Sequence, residues 1–395
     1  MHDFISDIIR RFGGRLAGSL EEDHAQDHML SLLAAFCDTA RKQSFRVPVT
    51  SMHESLKIFC AGFWLALFLY RVSLPAAFIV SLANAVLFVG HFLTYRFWLD
   101  PLFKRSWSSN VEGVIEPRQE VKATLIFAGH MDSTTEYQWW YTLKNFGGFL
   151  TWLSGFLITL LPLFYLLALA VSQAAWKNAV WDIFSVLSPA TFSLFFMRSN
   201  RVVPGAQDNL SGVAIAMGAA MALAGEDAGS AQNGKRVPLL SHTRIKVLSF
   251  GSEEPGLRGS AAYVHAFRQD LLQENAVLIN ADGIMRTRDL RVVRGELTSL
   301  VRYPESLVQR LQTAFAECSQ PARPVYLPIG ATDAASFAMR GLPAVSIVGL
   351  PTGKLDPAYH TRLDTPDAVD PQALEKVKDI LVRFAVQWDK DLASR

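Results

Sequence analysis

Apolar residues are distributed along this chain in two regimes. Over most of its length they form short blocks separated by polar turns, whereas Ile58–Leu99 and Phe146–Met197 are apolar almost without interruption. The first long stretch holds only Arg71 before Arg96, and the second only Lys177 and Asp182. A bilayer crossing needs roughly 20 apolar residues in a helix. The first stretch divides around Arg71–Pro75 into pieces near 55–70 and 76–97, and the second divides around Gln173–Asn178 into pieces near 147–172 and 179–197. This predicts two transmembrane helical hairpins and four crossings. The piece 179–197, with Asp182, Pro189 and several Ser and Thr, is the weakest. Buried core helices or an apolar dimer interface would give the same pattern.

The remaining blocks alternate between two periodicities. Helical spacing marks His24–Ala40, Ser211–Ala224, Gly259–Gln273, Pro304–Cys318 and Pro371–Trp388. Short apolar runs predict an edge strand at Ser44–Val49 and strands at Val111–Ile115, Ala123–Ala128, Lys246–Phe250, Ala276–Asn280 and Ala344–Val348. Strands alternating with helices predict one α/β domain with a mainly parallel mixed sheet flanked by helices. That domain is expected in three pieces, 1–55, 100–145 and 199–395, interrupted by hairpins at 56–99 and 146–198. The Gly, Ala and Ser of Gly225–Ser241 suggest a mobile surface loop.

Charge narrows the partners. A net charge of +2, with no Lys/Arg block able to track a phosphate backbone, argues against nucleic acid. The first thirty residues lack a basic-then-apolar secretory start, so the first hydrophobic piece is expected to act as an internal anchor. The hairpin flanks next to the polar domain carry Lys57, Arg96, Lys104, Arg105, Lys144, Arg198 and Arg201, while the opposite loops offer Arg71 and Lys177. Given both hairpins, an integral multi-pass protein is expected, and the positive-inside bias puts its polar domain in the cytoplasm. Cys37, Cys60 and Cys318 match no zinc-ligand or redox spacing.

The candidate chemistry lies where apolar runs end. Gly129-His130-Met131-Asp132, Gly205–Asn209, Ser252–Gly256, Asn280–Gly283 and Tyr359–Thr361 bring carboxylates and imidazoles to strand ends. Buried carboxylates are costly unless paired or metal-bound, so these segments need a shared electrostatic partner, which a pair of divalent cations would supply. In His130 and Asp132 one side chain can ligate while the other steers it. Asp208 before a helix could equally be a cap. Of Glu253 and Glu254, one can ligate while the other addresses a bound water. Asp282 and His360, with Asp364 four residues on, complete the set. Oxygen and imidazole donors without thiolate suit zinc, with cobalt or manganese as substitutes.

The motifs GHMDS, PGAQDNLSG, SEEPGLRGS, INADG and YHTRLDT, taken in this order, resemble those of the dizinc aminopeptidase family that also contains glutamate carboxypeptidase II and glutaminyl cyclase. The opening Gly14-Arg15-Leu16-Ala17-Gly18-Ser19 is similar too, and the likeness spans nearly all of the chain outside the hydrophobic insertions. The resemblance implies a zinc-exopeptidase-like fold with two zinc ions. His130 and Asp282 would hold one, Glu254 and His360 the other, and Asp208 would bridge them through a residue joined to Asn209 by a cis peptide. It further implies Glu253 as general base and Asp132 as the acid that orients His130. The stretch from Asp132 to Asp208 is far longer than the family's loop, the excess being the second hydrophobic insertion. Where the family often has Ser-Asp-His, this chain has Thr332-Asp333-Ala334, so no contact of that histidine carries over.

The implied function is a membrane-anchored aminopeptidase acting on short peptides. The second insertion leaves directly after His130 and Asp132, which suggests a metal centre near the bilayer and a preference for hydrophobic substrates. Glutaminyl cyclisation, hydrolysis of another amide, or a non-catalytic membrane scaffold are the alternatives.

Overall fold

The computed structural model describes residues 1–225, 237–351 and 356–394, so residues 226–236 of the expected Gly225–Ser241 loop lie outside the described residues. The chain divides into two compact units. One comprises Met1–Val47, Ser106–Thr134 and Val202–Arg395, and the other Pro48–Arg105 and Thr135–Arg201.

The first unit is built on a nine-stranded sheet. Its strands are β1 (Thr39–Val47), β2 (Ser106–Ile115), β3 (Ala123–His130), β4 (Thr243–Phe250), β5 (Ala276–Asp282), β6 (Leu290–Glu296), β7 (Val301–Arg302), β8 (Pro324–Leu327) and β9 (Ala344–Gly349). They lie in the order β1-β2-β4-β3-β5-β9-β6-β8, with β7 paired to β6. The central pairs β4–β3, β3–β5 and β5–β9 are parallel. The flanking pairs β1–β2, β2–β4 and β9–β6 are antiparallel. This is the mainly parallel mixed sheet expected from the alternation of strands and helices. Every residue of β3 is buried, as helices on both faces require.

Two strands are longer than the apolar pattern indicates. β2 begins at Ser106, and its polar residues Ser108, Ser109 and Asn110 are buried because each finds a partner: Ser108 Oγ donates to Glu22, and Asn110 Nδ2 donates to Gly259 O at 2.9 Å. β1 starts at Thr39, where alternate residues face solvent and leave little apolar signal. The early helix also begins sooner, at Leu20, because the Ser19 side chain caps it by accepting from Glu22 N.

The second unit is helical. Among the described residues three helices are long and apolar enough to cross a membrane: Ser51–Tyr70, Leu74–Leu93 (its last turn a π-helix) and Asn145–Ala170. The fourth expected crossing is not one continuous helix. Residues 174–187 form a helix of 14 residues, followed by a 3-10 turn at Ser188–Thr191 and a short helix at Phe192–Phe195. Pro189, which has no N–H to give, sits in that turn. Side chains of the other helices bond to this irregular segment. Ser154 Oγ donates to Ala190 O at 2.6 Å, Cys60 Sγ donates to Thr191 O at 3.2 Å, and Trp64 Nε1 reaches Thr191 Oγ1 at 3.0 Å. Irregular backbone is tolerated in an apolar medium only when satisfied in this way. Phe59, Phe63, Leu157, Leu161 and Tyr165 form the interior, while Phe68, Ile79, Phe149, Phe156 and Leu163 remain exposed. A unit apolar inside and out is suited to lipid.

The C-terminal helix Pro371–Ala393 pins the start of β4 through one carboxylate. Asp389 accepts from Ser241 N at 2.8 Å, His242 N at 2.7 Å and Thr243 Oγ1 at 2.9 Å. Burial alone would raise its pKa, but the Ser241 and His242 amides and the Thr243 hydroxyl hold it below the ordinary value. A depressed carboxylate stabilises the fold above its unfolded pKa and loses that contribution as pH falls through the folded value. Asp389→Ala is expected to lower stability by about 1–3 kcal/mol at neutral pH. In denaturant melts followed from pH 7 downward, the gap between variant and wild type should begin to narrow below about pH 4 and shrink further as pH falls through the depressed folded value.

Candidate metal centre

The centre forms at the carboxyl ends of the neighbouring strands β4, β3, β5 and β9, where an open α/β sheet gathers its ligands. His130 ends β3 and Asp282 ends β5. Glu253 and Glu254 follow β4, and His360 lies in the turn after β9. Asp208 comes from the turn Ala206–Leu210 that opens the helix Ser211–Leu223. Two glycines let the start of that helix approach the strand ends closely. A Cβ on Gly129 would come within 2.5 Å of Val213 N, and one on Gly212 within 2.1 Å of Ala281 O.

The seven residues singled out in the sequence come together here. His130, Glu253 and Asp282 form one group whose ligand atoms lie within 4.8 Å of one another, and Asp208, Glu254 and His360 form a second. Asp208 faces both: Oδ1 is 3.1 Å from His130 Nε2 and Oδ2 is 3.1 Å from His360 Nε2. Glu254 Oε2 is 3.2 Å from His360 Nε2, and Glu253 Oε2 is 3.7 Å from His130 Nε2. Asp132 Oδ1 is 3.5 Å from His130 Nδ1, and its carboxylate accepts Glu253 N at 2.9 Å and Glu254 N at 3.0 Å. Holding both amides sends the adjacent glutamates to different groups. The Asp208–Asn209 peptide is cis.

Other residues hold this arrangement in place, and their part is not apparent from the motifs. Asp364 accepts Gln207 N at 2.6 Å and Asp208 N at 3.2 Å, tying the Asp208 turn to the His360 segment. Glu22 accepts Ser252 N at 2.7 Å and Gly18 N at 2.6 Å. A signal for Glu22 was present, since a glutamate three residues after Ser19 is the capping-box spacing. Asn209 Nδ2 donates to Ala281 O at 2.9 Å, fixing the turn against β5. Arg15 is wholly buried among these segments.

The electrostatics call for cations. Burial pushes Glu253 well above the usual carboxylate range, against the pull of His130 and with added repulsion from Asp333 and Asp282. Asp282 is raised well above it by burial and then by Asp208, and Glu254 is raised by burial in spite of His360. Burial would raise Asp208 as well, but the imidazoles of His130 and His360 hold it low. Asp333 is pushed up to about 7, Glu22 to about 8 and Asp364 to about 8, in each case chiefly by burial. Two imidazoles cannot compensate this many carboxylates. Glu254 Oε1 is buried without a hydrogen-bond partner, an acceptor that a metal ion would satisfy. The donor set of carboxylate oxygen and imidazole nitrogen fits zinc.

The comparisons agree with the geometry. The profile of peptidase family M28 matches residues 181–385, just over half of the chain. The matched span contains Asp208, Glu253, Glu254, Asp282 and His360, with His130 and Asp132 upstream of it. A zinc aminopeptidase from Bacillus subtilis superposes with a TM-score of 0.56 at 14% identity, covering 98% of this chain and 94% of that one. A glutaminyl cyclase from an Acidobacteriales bacterium gives 0.54 at 14% identity, covering 99% and 94%. The Porphyromonas gingivalis glutaminyl cyclase gives 0.56 at 12% identity, covering 98% and 96%. No curated protein matches the sequence. The sheet has the fold of these zinc aminopeptidases and glutaminyl cyclases, and by its family match the chain is of the metallopeptidase class. Within that class the chain belongs to peptidase family M28.

Because Glu253, Glu254 and Asp282 are raised and must be deprotonated to ligate or act, zinc binding is expected to release protons. Calorimetric titration of metal-free protein at pH 7, in two buffers of different ionisation enthalpy, should show net release of about one proton or more. An identical heat in both buffers would contradict it.

Proposed function

We propose that this protein is a membrane-anchored dinuclear zinc aminopeptidase that removes N-terminal residues from short, preferentially hydrophobic peptides, with its catalytic unit in the cytoplasm. The observation that carries the reading is Asp208, whose two oxygens each lie 3.1 Å from the imidazole of a different ligand group. That is the arrangement of a bridging carboxylate between two metal positions. His130 and Asp282 would hold one zinc ion, Glu254 and His360 the other, and Asp208 both. Bound zinc would supply Lewis acidity to a water and to the scissile carbonyl.

Glu253 is the general base in this reading. Its side chain is 12% exposed, against 6% for Asp208 and 5% for Glu254, which favours access to water and substrate. Its backbone is fixed by Asp132, so its carboxylate can take a proton from the attacking water and pass it to the leaving amine. Asp132 also orients His130 at Nδ1, its backbone carbonyl lying 3.1 Å from that nitrogen and its carboxylate 3.5 Å.

The membrane reading rests on the three apolar helices and on topology. Val203 N donates to Thr134 O at 2.9 Å, so the chain that leaves after Thr134 comes back beside the point at which it left. The helix Asn145–Ala170 would cross one way and the broken segment 174–195 would bring the chain back. The Lys and Arg of the flanks favour the cytoplasmic orientation. The hydrophobic preference rests on the apolar insertion that departs a few residues after His130.

The test is hydrolysis of an aminoacyl amide series by detergent-solubilised protein, with free and blocked N-termini and with and without chelator. Cleavage of free but not blocked substrates, abolished by chelator, is the expected result, and cyclisation of N-terminal glutamine would redirect the reading. Glu253→Gln should keep both metals and lose about 10²–10⁴ in turnover, whereas Asp208→Asn should lose metal as well. Equal metal loss in both would contradict the roles assigned. Carbonate washing should leave the full chain in the membrane fraction.

A further inference from the structure

Arg15 is the largest of the fully buried side chains, and its guanidinium donates to four backbone carbonyls. Nε reaches Met131 O at 2.7 Å, Nη1 reaches Gly13 O at 2.7 Å and Pro204 O at 2.9 Å, and Nη2 reaches Gly205 O at 3.1 Å. Met131 adjoins His130, and Pro204-Gly205 leads three residues on to Asp208. One planar group therefore spans the two segments that deliver an imidazole of one ligand group and the carboxylate facing both.

The surrounding backbone is built to this contact. Arg15 N donates to Ser133 Oγ at 3.0 Å, Ser133 N donates to Arg15 O at 2.9 Å, and Ser133 Oγ donates to Val203 O at 2.9 Å. Gly205 has a φ of +66°, and a Cβ there would lie 2.9 Å from Arg15 Nη2 and 2.6 Å from Ser133 Cβ. The charge is balanced at longer range by Asp364, Asp132 and Glu22, each of which also anchors a segment of the centre.

We propose that Arg15 is a positioning residue that sets the separation of His130 and Asp208, and through it the retention of metal. Its fork of donors reaches three chain segments at once, which a lysine ammonium on a single stem cannot do. The inference rests on the metal-centre reading above and goes beyond it, since Arg15 touches neither metal nor substrate.

The experiment compares wild type, Arg15→Lys, Arg15→Met and Val377→Ala as full-length chains in detergent. Val377→Ala opens a core cavity in the C-terminal helix and serves as a control for general destabilisation. Zinc stoichiometry, the rate of zinc release to a chromophoric chelator, the visible spectrum of the cobalt-substituted protein, and kcat and KM on an aminoacyl amide are the readouts. Arg15→Lys should release zinc about 10–100-fold faster, shift the cobalt bands and lose kcat by a similar factor with KM little changed. Val377→Ala should release zinc at the wild-type rate despite a lower Tm. If Arg15→Met fails to fold, Arg15→Lys carries the comparison. Zinc release from Arg15→Lys within twofold of wild type, or equal acceleration in Val377→Ala, overturns the assignment of Arg15 alone. A wild-type chain that binds no zinc overturns the function reading and this inference together.

Discussion

The constraint on which the rest depends is the crowding of buried negative charge at the ends of four adjacent strands. Asp132, Asp208, Glu253, Glu254, Asp282, Asp333 and Asp364 share a region whose cationic partners are two imidazoles and the buried Arg15 guanidinium, so the acids outnumber the cations among its own side chains. Cations relieve that imbalance, and the protein supports the region in advance with rigid donors. Backbone amides of Gln207, Asp208, Ser252, Glu253 and Glu254 all point at carboxylates. The scaffold thus supplies fixed partial positive charge where it can and leaves the remainder to metal.

The same partners sort the acids by their surroundings. Asp132, Asp364 and Glu22 face amides and hold loops, so their oxygens are largely spoken for. Asp208, Glu254 and Asp282 face imidazoles or one another and retain free valence. Glu253 stands between these sets, fixed at its backbone and open at its carboxylate. Acids of one chemical type thereby differ in what their neighbours leave unsatisfied.

Much of the sheet was legible because β3, β4, β5 and β9 are continuous apolar runs bounded by turns, and the ligand motifs sit where those runs stop. The polar half of β2 was not, because Ser108, Ser109 and Asn110 look like a loop until Glu22 and Gly259 are brought against them by the fold. The supporting acids were hidden for a related reason. Asp364 stands four residues after His360 in the sequence, but its function depends on the amides of Gln207 and Asp208, more than a hundred residues away. In the apolar unit, hydropathy located the helices and Pro189 marked the last of them as the weakest, but the donors Ser154 and Cys60 that satisfy the broken segment lie on other helices and could not be read from it.

The closure between Thr134 and Val203 has a consequence for how this architecture tolerates change. Val203 N donates to Thr134 O at 2.9 Å, so the chain returns to the peptidase unit beside the residue from which it departed. An excursion whose two ends are already bonded to each other behaves as a closed loop seen from its stem. Doubling the length of such a loop adds only about 0.6 kcal/mol of closure entropy. Insertions between those residues are therefore thermodynamically cheap for the metal centre. An α/β scaffold can carry a large apolar appendage there while its strand ends keep their register.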